Sequence, residues 1–247
     1  LYHIMDELTT RFPEILFEGC SSGGNRFDLG ILSYFPQIWA SDNTDALCRT
    51  GIQNSYSYGY PLSVFTAHVS SCPNHQTLRI TPLETRFQVA SFGILGYECN
   101  LKDLSGSDLN AIREQIALYK KWPDVFQFGT FYRGTENEDS DSETLSWTCV
   151  FPDGRRAVGL FFRRLTTPNQ SHDWYRPAGL LPDVKYHFYG RNIKYNLKDF
   201  GDLVNTVSPV HIKQGSALQE ILSRFVNMDG EKEDLTAYGD TLMLAGI

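Results

Sequence analysis

A chain of 247 residues, 41% apolar and 21% charged, has the makeup of a globular protein able to bury one large core or two modest ones. Its net charge of −7 and pI near 5.4 argue against a nucleic-acid groove, because neutralising phosphates takes a basic face. No run approaches the roughly 20 apolar residues of a membrane span, and the first residues lack the basic start and apolar block of a secretory signal.

Leu1, Ile4, Met5, Leu8 and Phe12 recur at helical spacing, so Leu1–Arg11 is expected to be an amphipathic helix, ended by Pro13. There is no initiator Met, and the chain opens inside that helix, as expected of a piece of something longer. A strand follows at Ile15–Glu18, running into the small residues Gly19-Cys-Ser-Ser-Gly-Gly24, then a helix-like run from Phe27 to Phe35. A second strand, Gln37–Ala40, ends in Ser41-Asp-Asn-Thr-Asp45, and Asp45–Ser57 reads as helix. Val64–Val69 is a third strand. After a polar loop, Pro82 opens a helix through about Ser91 as a first-turn proline. Gly93–Cys99 is a fourth strand, and Ser107 is expected to cap a strong helix carrying Leu109, Ile112, Ile116 and Tyr119 on one face. Strand and helix thus alternate four times, as in half of a (β/α)8 barrel or half of a doubly wound sheet. In either fold, ligand chemistry gathers at the carboxyl ends of the strands.

The pattern then changes. Phe126–Tyr132, Thr144–Phe151, Arg156–Arg163, Lys185–Tyr189 and Thr241–Leu244 are short, β-rich and divided by turns such as Pro152-Asp-Gly154, which predicts an antiparallel sandwich. Ala217–Val226 reads as a helix inserted in it, and the acidic run Glu136 to Glu143 as a solvated loop. Cys20, Cys48, Cys72, Cys99 and Cys149 are odd in number and scattered, so reduced thiols in a cytoplasmic protein are the simplest account. The Asn169-Gln-Ser171 sequon is too common by chance to imply secretion.

Four constellations compete for the chemistry. Gly19-Cys-Ser21-Ser-Gly23 fits a nucleophile elbow, with Asp42 or Asp45 and then His68 or His75 in the chain order of a serine hydrolase. Its acid would end the very next strand, however, and Gly24-Asn-Arg26 separate the serine from its helix. Gly23-Gly24 lacks the Lys-Ser/Thr of a phosphate loop. Cys72 and His75 have no second ligand pair, so no metal site is expected, and His68 in an apolar strand reads as a core residue. Asp42 ends a strand close to Trp39. Burial disfavours the charged form of a carboxylic acid, so one held against an indole face can carry a proton at neutral pH for a sugar leaving group. Capping of the next helix by Asp42 and Asp45 explains the same residues equally well, with Asp45 the better-placed cap.

Phe17-Glu-Gly-Cys-Ser-Ser-Gly-Gly-Asn-Arg-Phe-Asp28 and Pro36-Gln-Ile-Trp-Ala-Ser-Asp-Asn-Thr-Asp-Ala46 closely resemble the family thirty-six glycoside hydrolases, the α-galactosidases of melibiase and raffinase type, those of lactobacilli most of all. The likeness continues through Tyr60–Ser63, Ala67–Ser70, Pro73–Thr77, Thr81–Arg86 and Phe92–Glu98, and resumes at Phe128–Arg133, Gly179–Asp183 and Tyr238–Ile247. The resemblance implies the C-terminal half of a (β/α)8 TIM barrel over 1–124 and a β-sandwich, incomplete at its end, over 125–247. It also implies a retaining mechanism without cofactor or metal, galactose-containing oligosaccharides as substrates, no nucleic-acid or membrane partner, and homo-oligomers, often tetramers. Asp42 matches the family's acid/base and Trp39 the aromatic wall of the site. Cys20 and Gly23 match positions contacting the galactose 2-hydroxyl, where a 2-acetamido group would be hindered. Ser21 then becomes a loop residue.

One departure stands out. The family's nucleophile is an Asp after Lys-Trp on the fourth barrel strand, and Lys121-Trp-Pro-Asp124 matches it only in letters. These residues alone are therefore expected not to turn over substrate, and a half-barrel would expose sheet edges and self-associate or need its missing half. A galactoside-binding or assembly module is the non-catalytic alternative. Raffinose-family transferases share the barrel, and the motifs do not separate hydrolysis from transfer.

Overall fold

The computed structural model describes residues 1–134, 144–164, 174–230 and 232–247. The acidic run from 136 to 143 and the sequon at 169–171 lie outside the described residues. The chain divides into two compact units, 1–184 with 239–247, and 185–238.

The first unit opens with α1 (Tyr2–Arg11), β1 (Glu18–Gly19) and a one-turn α2 (Ser21–Gly24). Three βα steps follow: β2 (Gln37–Trp39) with α3 (Ala46–Tyr56), β3 (Phe65–Ser70) with α4 (Leu83–Ala90), and β4 (Ile94–Glu98) with α5 (Gly106–Lys121). The strands form one parallel sheet in the order β1-β2-β3-β4, in register Gly19 to Ile38, Ile38 to Phe65 and Thr66 to Ile94. Side chains alternate across it. On one face Phe65, Ala67 and Val69 are fully buried, the last two against Phe87 and Ala90 of α4. The opposite face is polar, presenting Glu18, Gln37, Trp39, Thr66, His68 and Glu98.

Two early expectations are shortened. Only Glu18 and Gly19 of the first strand pair, because β1 is an edge strand, and Ile15 and Leu16 are left exposed. In place of a helix from Phe27 to Phe35 there is one 3-10 turn, Ile31–Ser33, with the Ile31 N–H donating to Asp28. The cap of α5 is Ser105 rather than Ser107. Its hydroxyl accepts from the Asp108 N–H at 3.1 Å while the Asp108 carboxylate accepts from the Ser105 N–H at 3.2 Å. Ser105 is the serine with an acid three residues on, which a reciprocal capping box requires.

Beyond α5, Pro123 starts a further helix, α6 (Pro123–Phe128), so Phe126–Phe128 are helical where a strand was expected. Val125 and Phe126 are buried side by side, which a half-buried strand would not do. An antiparallel sheet follows, β5 (Thr130–Arg133), β6 (Thr144–Val150) and β7 (Ala157–Arg163). Its Trp147 is fully buried with Leu145, Cys149, Phe92 and Phe126, and its indole N–H donates to Asn54 of α3 at 3.1 Å. The second unit pairs β8 (Lys185–Tyr189) with a later strand, β11 (Asp234–Tyr238). It also pairs β9 (Lys194–Asn196) with β10 (Asn227–Asp229), and α7 spans Ala217–Leu222. Thr241–Leu244 is not a strand but lies within α8 (Gly239–Ala245). Four residues cannot fix a period, and Leu, Met and Ala are strong helix formers.

The rim of the parallel sheet is held by one buried carboxylate. Asp45, at 1% exposure, caps α3 through the N–H groups of Leu47 and Cys48 and also accepts from the Thr77 hydroxyl and from Arg79 at 2.6 Å. Burial works against its ionisation, but Thr77, the Cys48 N–H and Arg79 outweigh it and hold Asp45 below the ordinary carboxylate range. Asn74 adds a bond to Thr44 at 3.1 Å, so the loop after β3 is tied to the loop after β2. A group whose folded pKa is lowered stabilises the fold above its unfolded pKa, near 3.9, and that share is lost as pH falls through the folded value. Asp45→Asn should cost about 2 kcal/mol at pH 7, and much less near pH 2, when urea unfolding of both proteins is compared across that range.

Candidate active site

The carboxyl ends of β1 and β2 meet through an unusual turn. Ser21, Ser22, Gly23 and Gly24 all have positive φ, at 50°, 58°, 79° and 87°. Left-handed backbone costs a non-glycine residue roughly 1–2 kcal/mol, and such strain persists only where its surroundings impose it. The two glycines of the turn are closely packed. A Cβ on Gly24 would lie 2.3 Å from the Ala40 carbonyl oxygen at the end of β2, and one on Gly23 would lie 3.0 Å from Oδ2 of Asp42. The double glycine is what lets this turn lie across the Asp42 carboxyl.

Asp42 is held from its other side by Trp39, whose indole Nε1–H donates to Asp42 Oδ1 at 2.8 Å. The indole therefore meets Asp42 by its polar edge rather than by a desolvating face, and Asp42 itself is exposed. Oδ2, beside the bare Gly23, has no hydrogen-bond partner among the described residues. Cys20 stands at the head of the same turn, its carbonyl accepting from the Gly24 N–H at 2.8 Å, and its side chain is exposed. Of the four residues singled out in the sequence, Asp42 thus meets both Trp39 and Gly23, with Cys20 heading the turn. A separate open cavity of about 500 Å³ is lined by Gly23, Ala40, Ser41, Cys48 and Tyr56, but not by Asp42.

Two further residues shape the site. Arg49, at 2% exposure, donates Nη2 to Ser41 O at 2.7 Å, Nε to Asn43 O at 2.8 Å and Nη1 to Thr66 O at 3.3 Å. Its guanidinium lies 4.9 Å from the centre of the Trp39 ring. Burial pushes the Arg49 pKa down to about 10, against the pull of Glu98, Tyr56 and Asp42, so it stays cationic at neutral pH. His68 packs its ring 4.7 Å from Trp39, and its Nδ1 stands 3.5 Å from Glu98. Burial lowers the His68 pKa in spite of Glu98. Gly96 makes room for that ring, since a Cβ there would lie 2.4 Å from His68 Cδ2. No sequence signal marked Arg49: an arginine in the first turns of an amphipathic helix ordinarily reads as solvated.

The serine-hydrolase arrangement is not assembled. His68 is engaged by Trp39 and Glu98, Asp45 by the α3 cap and Arg79, and among the described residues Ser21 makes no hydrogen bond to a histidine. No group of three or more His, Cys, Asp or Glu able to hold a metal ion lies among the described residues, and no helix among them is long and apolar enough to cross a membrane.

Residues 1–129 match the Melibiase family model, and residues 144–247 match the model for the glycosyl hydrolase family 36 C-terminal domain. The chain is 44% identical over 186 residues to alpha-galactosidase 1 of Pediococcus pentosaceus, covering 75% of this chain and 25% of that protein. The crystal structure of the α-galactosidase from Lactobacillus brevis superposes with a TM-score of 0.78 at 35% identity, over 100% of this chain and 28% of that one. A doubly substituted variant of the family 36 α-galactosidase AgaA from Geobacillus stearothermophilus, in complex with raffinose, gives a TM-score of 0.77 at 34% identity, again over 100% and 28%. The chain thus spans about a quarter of the length of the curated relative it matches. With one family model over its first half and the family's C-terminal domain model over most of the rest, this chain belongs to the melibiase family, glycoside hydrolase family 36.

Proposed function

We propose that these residues form the acid/base side of a retaining α-galactosidase that releases terminal α-D-galactosyl residues from melibiose- and raffinose-type oligosaccharides. The observation that carries this reading is the Trp39 hydrogen bond to Asp42 Oδ1, with the bare Gly23 beside Oδ2. A carboxyl oxygen occupied by an N–H donor is a poor seat for a proton, so the transferable proton belongs on Oδ2, which has no hydrogen-bond partner among the described residues. In the first step Asp42 gives that proton to the glycosidic oxygen while a second carboxylate, about 5–5.5 Å away in retaining enzymes, attacks the anomeric carbon. In the second step Asp42, now a carboxylate, takes a proton from the water that hydrolyses the glycosyl-enzyme. In this reading the second carboxylate comes from outside these 247 residues, which are then inactive by themselves.

The same reading takes residues 1–124 as the C-terminal half of a (β/α)8 barrel and 125–247 as a β-sandwich domain. The parallel order β1-β2-β3-β4, with its polar face opposite the helix-packed one, supports the first part. The family C-terminal domain match over 144–247 supports the second. The strand β2 carries Trp39 to the carboxyl end of the sheet, where barrel enzymes hold their chemistry. Trp39 is then the wall for the galactose ring, with Cys20 and the Gly23 main chain at its 2-hydroxyl, a place too close for a 2-acetamido group. Raffinose bound to the AgaA variant supports raffinose-type substrates. The exposed apolar side chains Ile15, Leu16, Val207 and Phe225 support homo-oligomeric assembly, and five unpaired cysteines accord with a reducing, cytoplasmic setting.

The acid role sets a leaving-group dependence. In a full-length enzyme carrying these residues, Asp42→Asn should lower kcat/KM on raffinose by about 10³-fold, while a nitrophenyl galactoside, whose leaving group needs little protonation, should lose less than about 10-fold at the glycosylation step. Equal and small losses on both substrates would remove Asp42 from this role. Gly23→Ala places a methyl group against Oδ2 at a positive φ and should cost at least about 10-fold in kcat/KM on both galactosides, with the melting temperature recorded alongside. Unchanged kinetics would take Gly23 out of the sugar site.

A further inference from the structure

Arg49 has more to hold than its own helix. Two of its three carbonyl acceptors, Ser41 O and Asn43 O, belong to the residues on either side of Asp42, and the third, Thr66 O, belongs to the adjacent strand β3. Its guanidinium also lies against the Trp39 ring, and Trp39 is the residue that holds Asp42 Oδ1. One buried group therefore fixes the Asp42 main chain from both sides and its side chain through the indole. We propose that Arg49 is the positioning residue of the proton donor, setting the place and direction of the Asp42 carboxyl; the inference rests on the acid/base reading of Asp42.

A planar fork is what this task needs. Three of its donors reach two carbonyls on the loop after β2 and one on β3 while its guanidinium lies against an indole, whereas a lysine ammonium is a point charge on a flexible stem. Arg86 supplies the contrast in the next βα step. It too binds backbone carbonyls, donating Nε to Thr81 O at 3.0 Å and Nη1 to Ser70 O, but its acceptors do not flank Asp42. A generic loss of rim rigidity should follow from either arginine; a displaced proton donor should follow only from Arg49.

The test is leaving-group selectivity in a full-length enzyme carrying these residues, with Arg49→Lys, Arg86→Lys and Asp42→Asn measured side by side. Arg49→Lys should lower kcat/KM on raffinose by about 10²-fold but on a nitrophenyl galactoside by less than about 5-fold, since misplacing a catalytic group by an ångström costs that order. Arg86→Lys should lower both to the same extent. Arg49→Lys in the Asp42→Asn background should add little on raffinose, because the step it supports is already lost. Should Arg49→Lys fail to fold, Arg49→Gln, which keeps short amide donors, is measured in its place. A folded Arg49 variant that loses both substrates equally, while Asp42→Asn keeps its bias, overturns the Arg49 inference and leaves the acid/base reading standing. An Asp42→Asn without bias overturns the acid/base reading first, and the inference with it.

Discussion

A guanidinium buried to 2% exposure must find acceptors for its protons, and that constraint organises the rim on which the site stands. Water does not reach Arg49, so backbone carbonyls are drawn in from the loop after β2 and from β3. Cost and benefit come from one source: desolvation pushes its pKa down to about 10, yet the same exclusion of water strengthens each bond it makes. The Trp39 indole then has a cation on it and a histidine ring beside it, and its N–H is aimed at Asp42 by its neighbours rather than by its own rotamer alone.

A second buried charge does related work one turn earlier. Asp45 closes α3 and takes Arg79 and Thr77 from the loop after β3, so successive loops at the carboxyl edge of the sheet are joined to each other. Two acids three residues apart in one short segment differ in role through burial. Asp45 is enclosed and committed to structure; Asp42 is exposed and keeps one oxygen without a hydrogen-bond partner among the described residues. The glycine pair on the facing turn completes the division, because only residues without a Cβ let backbone come this close to Ala40 and Asp42.

The sheet's two faces explain why chemistry sits where it does. Ala67 and Val69 bury against α4, which anchors β3, and the alternate residues Thr66 and His68 are thereby turned to the polar face with Trp39. Further along, Trp147 is sealed among Phe92, Phe126 and Leu145 and bonded to Asn54, so the antiparallel sheet β5-β6-β7 braces the helix that carries Arg49. The unit 185–238 has its own paired strands and is built separately.

Local chemistry made much of this legible in the amino-acid order. Apolar runs alternating with helical patterns gave the strands β1 to β4 and the helices after β2, β3 and β4, Asp45 was recognisable as a cap, and Asp42 as an acid at a strand end close to Trp39, while Cys20, Gly23 and the part played by Trp39 came from the family resemblance. Short apolar runs were ambiguous: Phe126–Phe128 and Thr241–Leu244 read as strand, and it took long-range burial of Val125 and Leu242 to make them helix. What the order of residues could not reveal was which way side chains turn once distant segments close on each other. That Arg49 turns inward to Thr66 and that Arg79 crosses to Asp45 depend on partners 17 and 34 positions away, brought within bonding distance only by the packed sheet, and the indole that offers its edge to the nearby Asp42 is itself held by Arg49 and His68 from outside that segment.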